Sequence, residues 1–280
     1  MKVTFYQRLS QVCSTTLYNA YLAGFLSGSI YQGGFKLLPC PGFNCHSCPG
    51  ALFVCPIGAL QFFAAYGRYY VSLYILGFIS MLGAIGGRFI CGWACPFGFL
   101  QDMLYKLPVK KIKIPRRLEY LRYVILIGIV GIAATATNQP WFCKIICPAG
   151  TLEAGIPLML FNENLRPMIG PIFMVKLAFL FAFLIWMTVS KRPFCRVICP
   201  LGTLYGLCNH LSFFKLGFKK RACAYDASCA QVCPVDHRIY GEDPNDTRCI
   251  RCLRCRSQCT HDAICLTSGQ PSDSASSVSG

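Results

Sequence analysis

Acidic residues are scarce in this chain. Only 11 of its 280 residues are Asp or Glu, against 27 Lys or Arg, and charged residues make up 14% of the total. Soluble domains average about 25% charged residues, whereas 54% of this chain is hydrophobic. The composition therefore argues against an ordinary soluble domain and indicates a membrane protein. The few carboxylates form no evident catalytic pair, so the sequence gives no sign of acid–base catalysis.

The chain also lacks the short motifs of several enzyme classes. It has no phosphate-binding P-loop, no glycine fingerprint of a dinucleotide fold, no C-x2-C-H haem site and no nucleophile–base arrangement. Whether it is an enzyme stays open on the residues alone. No A-x-A-like site follows the first apolar run, so we expect this run to be retained as a membrane span.

Four apolar segments approach the roughly 20 residues that cross a bilayer. They cover about residues 12–30, 69–87, 120–137 and 171–189. Basic residues are few in the first and third loops but many in the second loop and after the fourth segment. By the positive-inside rule, both termini and the second loop lie on the inner side of a bacterial or archaeal cytoplasmic membrane. Topology and anionic lipid then explain the net charge of +16 without a nucleic-acid partner.

Composition divides the chain into three parts. Residues 1–212 form the expected all-α polytopic membrane domain, with about four transmembrane helices and short interfacial or re-entrant helices. Residues 213–266 are polar and dense in cysteine, and we expect a small α+β domain. The tail 267–280 is rich in Ser and Gly and has nothing to bury, so it is expected to be disordered.

Many of the twenty cysteines belong to a repeated motif, C-P-x-G-x-L. The four copies begin at Cys55, Cys95, Cys147 and Cys199, and in the last three a second cysteine lies four residues earlier, at Cys91, Cys143 and Cys195. Proline is well tolerated at the first position of a helix, and glycine permits close approach of the backbone to a neighbour. Each copy therefore predicts the end of a span, a cysteine corner and a short interfacial helix.

The predicted topology decides which corners can share a cluster. A [4Fe–4S] cluster needs four thiolates, and each complete corner supplies two. The two corners on the cytoplasmic side are expected to hold one cluster, with ligands Cys91, Cys95, Cys195 and Cys199. Iron is favoured over zinc because zinc sites usually use C-x2-C pairs, whereas these corners are C-x3-C. Disulfides are disfavoured because the cysteines follow ligand-like spacings.

The outer side has more thiols than one cluster needs. The complete corner there faces the cysteine-rich first loop, which leaves several choices open. We favour Cys48, Cys55, Cys143 and Cys147, with Cys45 a close rival of Cys48, Cys40 less favoured and His46 a further candidate. The surplus also admits an outer disulfide, a second centre or a different metal. The membrane domain is therefore expected to hold one or two clusters.

The segment 223–259 carries two ferredoxin-type runs, so residues 213–266 are expected to form a ferredoxin-like domain with two clusters. Since two-cluster ferredoxins exchange their fourth ligands between runs, cluster one is expected to use Cys223, Asp226, Cys229 and Cys259, and cluster two Cys249, Cys252, Cys255 and Cys233. Asp226 stands where the pattern has cysteine. A carboxylate is a harder donor than a thiolate, so if Asp226 binds, cluster one is expected to interconvert between [4Fe–4S] and [3Fe–4S] or to expose an exchangeable iron. Otherwise Asp226 is a solvated carboxylate beside a three-ligand [3Fe–4S] centre.

At "CGWACPFGFLQD", "CRVICPLG" and the ferredoxin runs, the chain resembles the NapH-type, polyferredoxin-like membrane iron–sulfur proteins. These are related to the membrane part of NosR-type proteins. The resemblance covers about residues 8–265 and implies a multi-pass electron carrier with [4Fe–4S] clusters, often a quinol dehydrogenase component. Asp226 and Thr260 depart from the ferredoxin pattern.

These observations predict electron transfer between a cytoplasmic donor or acceptor and the membrane quinone pool, other membrane redox subunits or a partner at the outer face. The alternative is a redox assembly or sensing protein that supplies electrons for maturation of a partner's metal centre. Electron transfer between the two faces must cover a long distance, because the hydrocarbon core is about 30 Å thick. Either the corners enter the membrane as re-entrant segments, or a quinone or another subunit bridges them.

Overall fold

The computed structural model describes residues 2–67 and 69–268, which are mostly helical. The α-helices are α1 (Lys2–Tyr18), α2 (Ala23–Ser27), α3 (Pro56–Ala65), α4 (Tyr69–Gly86), α5 (Phe89–Trp93), α6 (Pro96–Leu104), α7 (Arg116–Glu119), α8 (Leu121–Val124), α9 (Ala134–Thr137), α10 (Ile156–Phe161), α11 (Pro171–Val189), α12 (Pro193–Val197), α13 (Pro200–Leu207), α14 (Ser228–Gln231) and α15 (Arg254–Gln258). Turns of 3₁₀-helix cover Gly34–Leu37, Glu163–Met168 and Lys220–Ala222, and π-helical segments cover Ile125–Ala133, Phe142–Ile146 and Gly150–Gly155. One antiparallel pair joins β1 (Phe214–Phe218) to β2 (Ile264–Ser268).

The repeated motif starts helices, as its proline predicts. Pro56, Pro96 and Pro200 each occupy the first position of a helix, directly after a cysteine with extended backbone. The residue before a proline is sterically pushed out of the helical region, so the cysteine marks the boundary. The sulfurs of Cys95 and Cys199 cap their helices, accepting from backbone N–H groups three residues on, at 3.4 and 3.3 Å. The motif thus holds its thiols at sharp corners.

Among the residues that the structure describes, two helices are long and apolar enough to cross a membrane, by length and composition: Arg116–Thr137 and Pro171–Val189. They match the third and fourth predicted spans. Helix α4 covers the second, although its described apolar part, Ser72–Gly86, is shorter than a full span. The presence of four transmembrane helices therefore stays a prediction.

The predicted first span, 12–30, is wrong as a continuous helix. Helix α1 ends at Tyr18, and α2 begins only at Ala23. The first loop takes up the backbone groups at the break, because Leu52 N–H donates to Tyr18 O at 3.0 Å and Tyr21 N–H donates to Gly50 O at 3.1 Å. This tertiary pairing replaces the helical hydrogen bonds that an uninterrupted span would make.

The first loop passes into the interior of residues 1–212. Phe43 is 3% exposed, and its ring centroid lies 5.8 Å from that of Phe97 and 5.2 Å from that of Phe194. Tyr205 donates to the carbonyl of Pro41 at 3.0 Å. The first loop, which the predicted topology places on the outer side, therefore packs directly on the two corners that it places on the inner side.

The C-terminal part combines the β1–β2 pair with the short helices α14 and α15, in line with the expected α+β character. Its small core includes Leu216, Cys229, Ile239 and Ile264. Strand β2 continues through residues 267–268, so the predicted disordered tail begins two residues too early. The remainder of that tail, 269–280, lies outside the described residues.

Candidate metal centres

The two inner corners meet at one cavity. Its lining includes Cys91, Cys95, Cys195 and Cys199. All four cysteines are buried, and the remaining lining is largely apolar, including Phe43, Phe97 and Phe194. The structure therefore brings together the four thiols that were predicted to share a cluster.

Two arginines in equivalent positions connect the inner corners to each other by hydrogen bonds. Arg88 lies three residues before Cys91, and Arg192 lies three residues before Cys195. Each guanidinium reaches the opposite corner: Arg88 Nη2 donates to Cys195 O at 3.0 Å, and Arg192 Nη1 donates to Cys91 O at 2.8 Å. The motif glycines make room, because a Cβ at Gly202 would lie 2.8 Å from Arg88 Nη2. Sequence reasoning missed both arginines, although their equal spacing was visible.

A polar side chain from α6 also reaches the second corner. Gln101 is fully buried, its Nε2 donates to the sulfur of Cys195 at 3.0 Å, and its Oε1 accepts from Phe194 N–H at 3.1 Å. Donors aimed at a ligand sulfur orient the thiolate and influence the potential of an iron–sulfur centre. Gln101 is thus a supporting residue of this site.

The outer cavity is larger than the inner one, and four of its lining residues are cysteines. These are Cys45, Cys55, Cys143 and Cys147. A Cβ at Gly150 would lie 3.8 Å from the sulfur of Cys147 and 4.0 Å from that of Cys45, so both thiols face the same glycine. Cys48 and Cys40 are buried but do not line this cavity. The structure thus favours Cys45 where the sequence favoured Cys48.

Three other side chains belong to the outer site. His46 and Lys176 line the cavity, and Lys176 comes from the membrane-length helix α11. Glu153 Oε2 accepts from the N–H of Cys45 at 2.7 Å. Burial raises the pKa of the Glu153 carboxyl to about 7, against the lowering effect of that hydrogen bond. Glu153 was not a predicted site residue, although it lies only six residues after Cys147.

The third cavity lies in the C-terminal part. Its lining cysteines are Cys233, Cys249, Cys252 and Cys255. This is the set expected from the exchange of the fourth ligand between ferredoxin runs. The remaining walls are mostly apolar, with Val235, Ile239 and Ile250 among them.

The fourth expected set is less enclosed. Cys229 and Cys259 belong to the same apolar cluster, and the thiol of Cys223 is close enough to influence Cys229 electrostatically. Asp226 is exposed, and its Oδ1 accepts from Ser228 N–H at 3.2 Å and from Ser228 Oγ at 3.0 Å. That is the geometry of a turn-forming aspartate.

The three cavities are neighbours. Phe43 lines both the outer and the inner cavity. Gly92, next to Cys91, packs on the ferredoxin run: a Cβ there would lie 2.5 Å from Ile250 O and 3.5 Å from the Cα of Cys252. The outer and inner cavities therefore share Phe43 as a wall, and the residue next to Cys91 of the inner cavity contacts two residues that line the C-terminal cavity.

A buried network of ion pairs connects Asp102 and Arg192, beside the inner corners, to Arg254 of the C-terminal part. Asp102 accepts from Arg192 at 2.7 and 2.9 Å and from Arg254 at 2.9 Å. Burial acts to raise the pKa of the Asp102 carboxyl, but the two arginines outweigh it and the pKa is lowered.

Within residues 2–67 and 69–268, no three His, Cys, Asp or Glu side chains converge closely enough to hold a single metal ion. Four cysteine thiols line each of the three cavities, and four thiolates are the donor set of a [4Fe–4S] cluster.

Comparison with known proteins agrees with this chemistry. The family model described as a 4Fe-4S binding domain matches residues 69–115, 119–156 and 172–219. An uncharacterized protein of Methanocaldococcus jannaschii is 32% identical over 75% of this chain and 85% of its own length. The methylamine utilization ferredoxin-type protein MauN of Paracoccus denitrificans is 27% identical over 60% of this chain and 55% of its own.

The ferredoxin-type protein NapH of Escherichia coli is 26% identical, with 68% of this chain and 65% of the relative covered. The chain thus spans less than two thirds of the length of these two bacterial relatives. No solved structure matches the chain significantly.

Proposed function

The chain belongs to the 4Fe-4S binding domain family of ferredoxin-type, NapH-like proteins, and we propose that it conducts electrons through four clusters arranged in a row. The order is the outer site, the inner site, cluster two and cluster one. The observation that carries this proposal is the adjacency of the cavities, with Phe43 between the first two and Gly92 against Ile250 between the next two.

The ligand sets follow from the cavities. The outer cluster is bound by Cys45, Cys55, Cys143 and Cys147, the inner cluster by Cys91, Cys95, Cys195 and Cys199, and cluster two by Cys233, Cys249, Cys252 and Cys255. Cluster one uses Cys223, Cys229 and Cys259 as a three-ligand [3Fe–4S] centre, because the Asp226 carboxylate is engaged by Ser228. Cys48 is a structural cysteine in this scheme.

The re-entrant first loop removes the distance problem posed by a bilayer about 30 Å thick. Irregular backbone at membrane depth is tolerated where protein covers it, and the aromatic contacts of Phe43 supply such cover. The chain is then a multi-pass protein of the cytoplasmic membrane, with residues 1–212 in or on the membrane and residues 213–268 as a cytoplasmic ferredoxin-like domain. Both termini are cytoplasmic.

The two ends of the row determine the partners. Cluster one lies in the least enclosed part of the ferredoxin-like domain and exchanges electrons with a cytoplasmic redox protein. The outer cavity, with Lys176 of α11 in its wall, exchanges electrons with the quinone pool or with a membrane redox subunit. An ionisable residue within a membrane-length helix commonly marks a functional site. Quinol oxidation is the reaction that this end would support.

The experiment compares two cysteine variants of the full-length protein purified in detergent. Cys143→Ser should remove the outer cluster, lowering the iron content by about four atoms per chain, while the inner EPR signal remains. Cys91→Ser should remove the inner cluster and leave the outer one. Menaquinol should reduce all clusters of the wild-type protein. In Cys91→Ser it should reduce the outer cluster but not cluster two or cluster one. Loss of both EPR signals from either variant would contradict the ligand sets. If menaquinol does not reduce the wild-type clusters, the quinone pool is not a partner.

A further inference from the structure

Arg88 is a completely buried cation at the wall of the inner cavity. Its Nη1 donates to Thr247 O at 2.9 Å and its Nη2 donates to Cys195 O at 3.0 Å, while Nε has no hydrogen-bond partner. These acceptors are neutral carbonyl oxygens. Among the described residues, no carboxylate lies within ion-pair distance of this guanidinium. Burying a charge is costly unless a counter-charge is near.

The equivalent arginine of the other corner is different. Arg192 is also buried, but Asp102 accepts two hydrogen bonds from it, at 2.7 and 2.9 Å. The two corners are therefore symmetric in geometry and asymmetric in charge. Arg192 has its counter-ion within the protein, whereas Arg88 faces a cavity lined by four cysteines.

The cavity of cluster two repeats the arrangement of Arg88. Arg251 lines that cavity and is 1% exposed. It donates to Ser212 Oγ at 2.6 Å and to Asn209 O at 2.7 Å, and its Nε also lacks a partner. No carboxylate of the described residues pairs with it either. Two four-cysteine cavities thus each have one buried, unneutralised guanidinium in the wall.

We propose that Arg88 is the counter-charge of the inner cluster and holds that cluster's reduction potential above the value it would have without the cation. Arg251 does the same for cluster two. The inference rests on the proposed function, because it requires a cluster in each cavity. The guanidinium acts through charge at close range: a Cβ at Gly202 would lie 2.8 Å from Arg88 Nη2 and 3.5 Å from the sulfur of Cys199.

The redox step itself is simple. A [4Fe–4S] cluster held by the four thiolates would accept one electron from the reductant and pass from two net negative charges to three, with no bond to the protein formed or broken. A nearby cation stabilises the more negative, reduced state more than the oxidised state, and low-dielectric surroundings strengthen the effect. Removing the cation must therefore lower the reduction potential.

The test is a dithionite titration with mediator dyes, followed by EPR, on the full-length protein in detergent. Arg88→Gln should lower the reduced-to-oxidised ratio of the inner cluster at a fixed potential about tenfold, which is about 59 mV for one electron. Arg88→Lys, which keeps the charge, should restore most of the shift. An unchanged inner potential in Arg88→Gln, with the cluster present, overturns the proposal.

Arg251→Gln is the matched control. It should lower the potential of cluster two and leave that of the inner cluster unchanged, whereas equal shifts of both clusters in either variant would overturn the proposal. If Arg88→Gln and Arg88→Met both lose the inner cluster while Arg88→Lys keeps it, the charge is required for assembly and the counter-charge role is supported. If Arg88→Lys loses it too, guanidinium geometry is what matters and the proposal fails. A wild-type protein without an inner EPR signal would instead refute the proposed function.

Discussion

Arg88 donates a hydrogen bond of 3.0 Å to the carbonyl oxygen of Cys195. The donor precedes one inner corner and the acceptor belongs to the other, 107 residues later. The reciprocal bond, from Arg192 to Cys91, has a length of 2.8 Å. Two copies of a short motif thus lock each other into position around one cavity. Neither corner has four thiols of its own, so the site exists only when both are folded.

The outer ligand set can be decided by a pair of neighbouring cysteines. Cys45 lines the outer cavity and Cys48 does not. We therefore expect Cys45→Ser to lower the iron content by about four atoms per chain and Cys48→Ser to leave it unchanged. Iron and sulfide analysis of both purified variants makes the measurement. The reverse result would return Cys48 to the ligand set.

The role of Asp226 is tested by two substitutions. Asn at this position keeps the acceptor that Ser228 uses, so Asp226→Asn should leave the iron content and the EPR signal of cluster one unchanged. Asp226→Cys supplies a fourth thiolate at the usual spacing, so it should convert a [3Fe–4S] centre to [4Fe–4S] with a gain of about one iron. A lost or altered signal in Asp226→Asn would show that the carboxylate binds iron.

The contact between the inner corner and the ferredoxin run can be opened at Gly92. A Cβ there would lie 2.5 Å from Ile250 O, so Gly92→Ala must push the two parts away from each other, at a cost of about 1–3 kcal/mol. We expect weaker magnetic coupling between the inner cluster and cluster two, measured by EPR relaxation. Gly77→Ala is the control, because apart from its chain neighbours and its own helix backbone no atom lies within 4 Å of its Cβ position. Unchanged coupling in Gly92→Ala would argue against this route.

The buried network around Asp102 should be a major stabiliser of the same interface. Asp102→Asn leaves Arg192 and Arg254 without their common carboxylate, and breaking such a buried pair costs about 3–5 kcal/mol. The ferredoxin-like part should therefore lose its clusters at lower temperature, measured by visible absorbance during heating. Asp243→Asn, at an exposed carboxylate, should change little. Equal melting of the two variants would contradict this role.

Protonation of Asp102 should act in the same direction as its substitution. Its pKa in the folded protein is lowered from the ordinary 3.8. The contribution of the ion pairs is therefore complete above that ordinary value and is lost as the pH falls through the lower pKa of the folded state.

The sequence was sufficient to predict the local structure of the corners and the cysteines that line two of the three cavities. Proline and cysteine determine where helices begin, and the spacing of ligands identifies the ferredoxin run, so these features follow from neighbours along the chain. The choice between Cys45 and Cys48 did not follow, because it depends on the path of the first loop. That path is set by contacts of Phe43 with residues more than 50 positions away.

The predicted first span failed for a related reason. Hydropathy describes a segment by itself, whereas the break after Tyr18 is made by hydrogen bonds from the first loop. Likewise, the charge rule places each loop on one side of the membrane but gives no depth. The nearness of the outer and inner cavities, which both have Phe43 in the wall, was therefore visible only in three dimensions.

Anomalous diffraction or an equivalent density map at the iron positions of the purified protein tests the central claim most directly. We predict four separate iron peaks in a row, the second of them surrounded by the sulfurs of Cys91, Cys95, Cys195 and Cys199. An inner cavity without iron, or an iron cluster that binds the cysteines of only one of these two corners, would contradict the account.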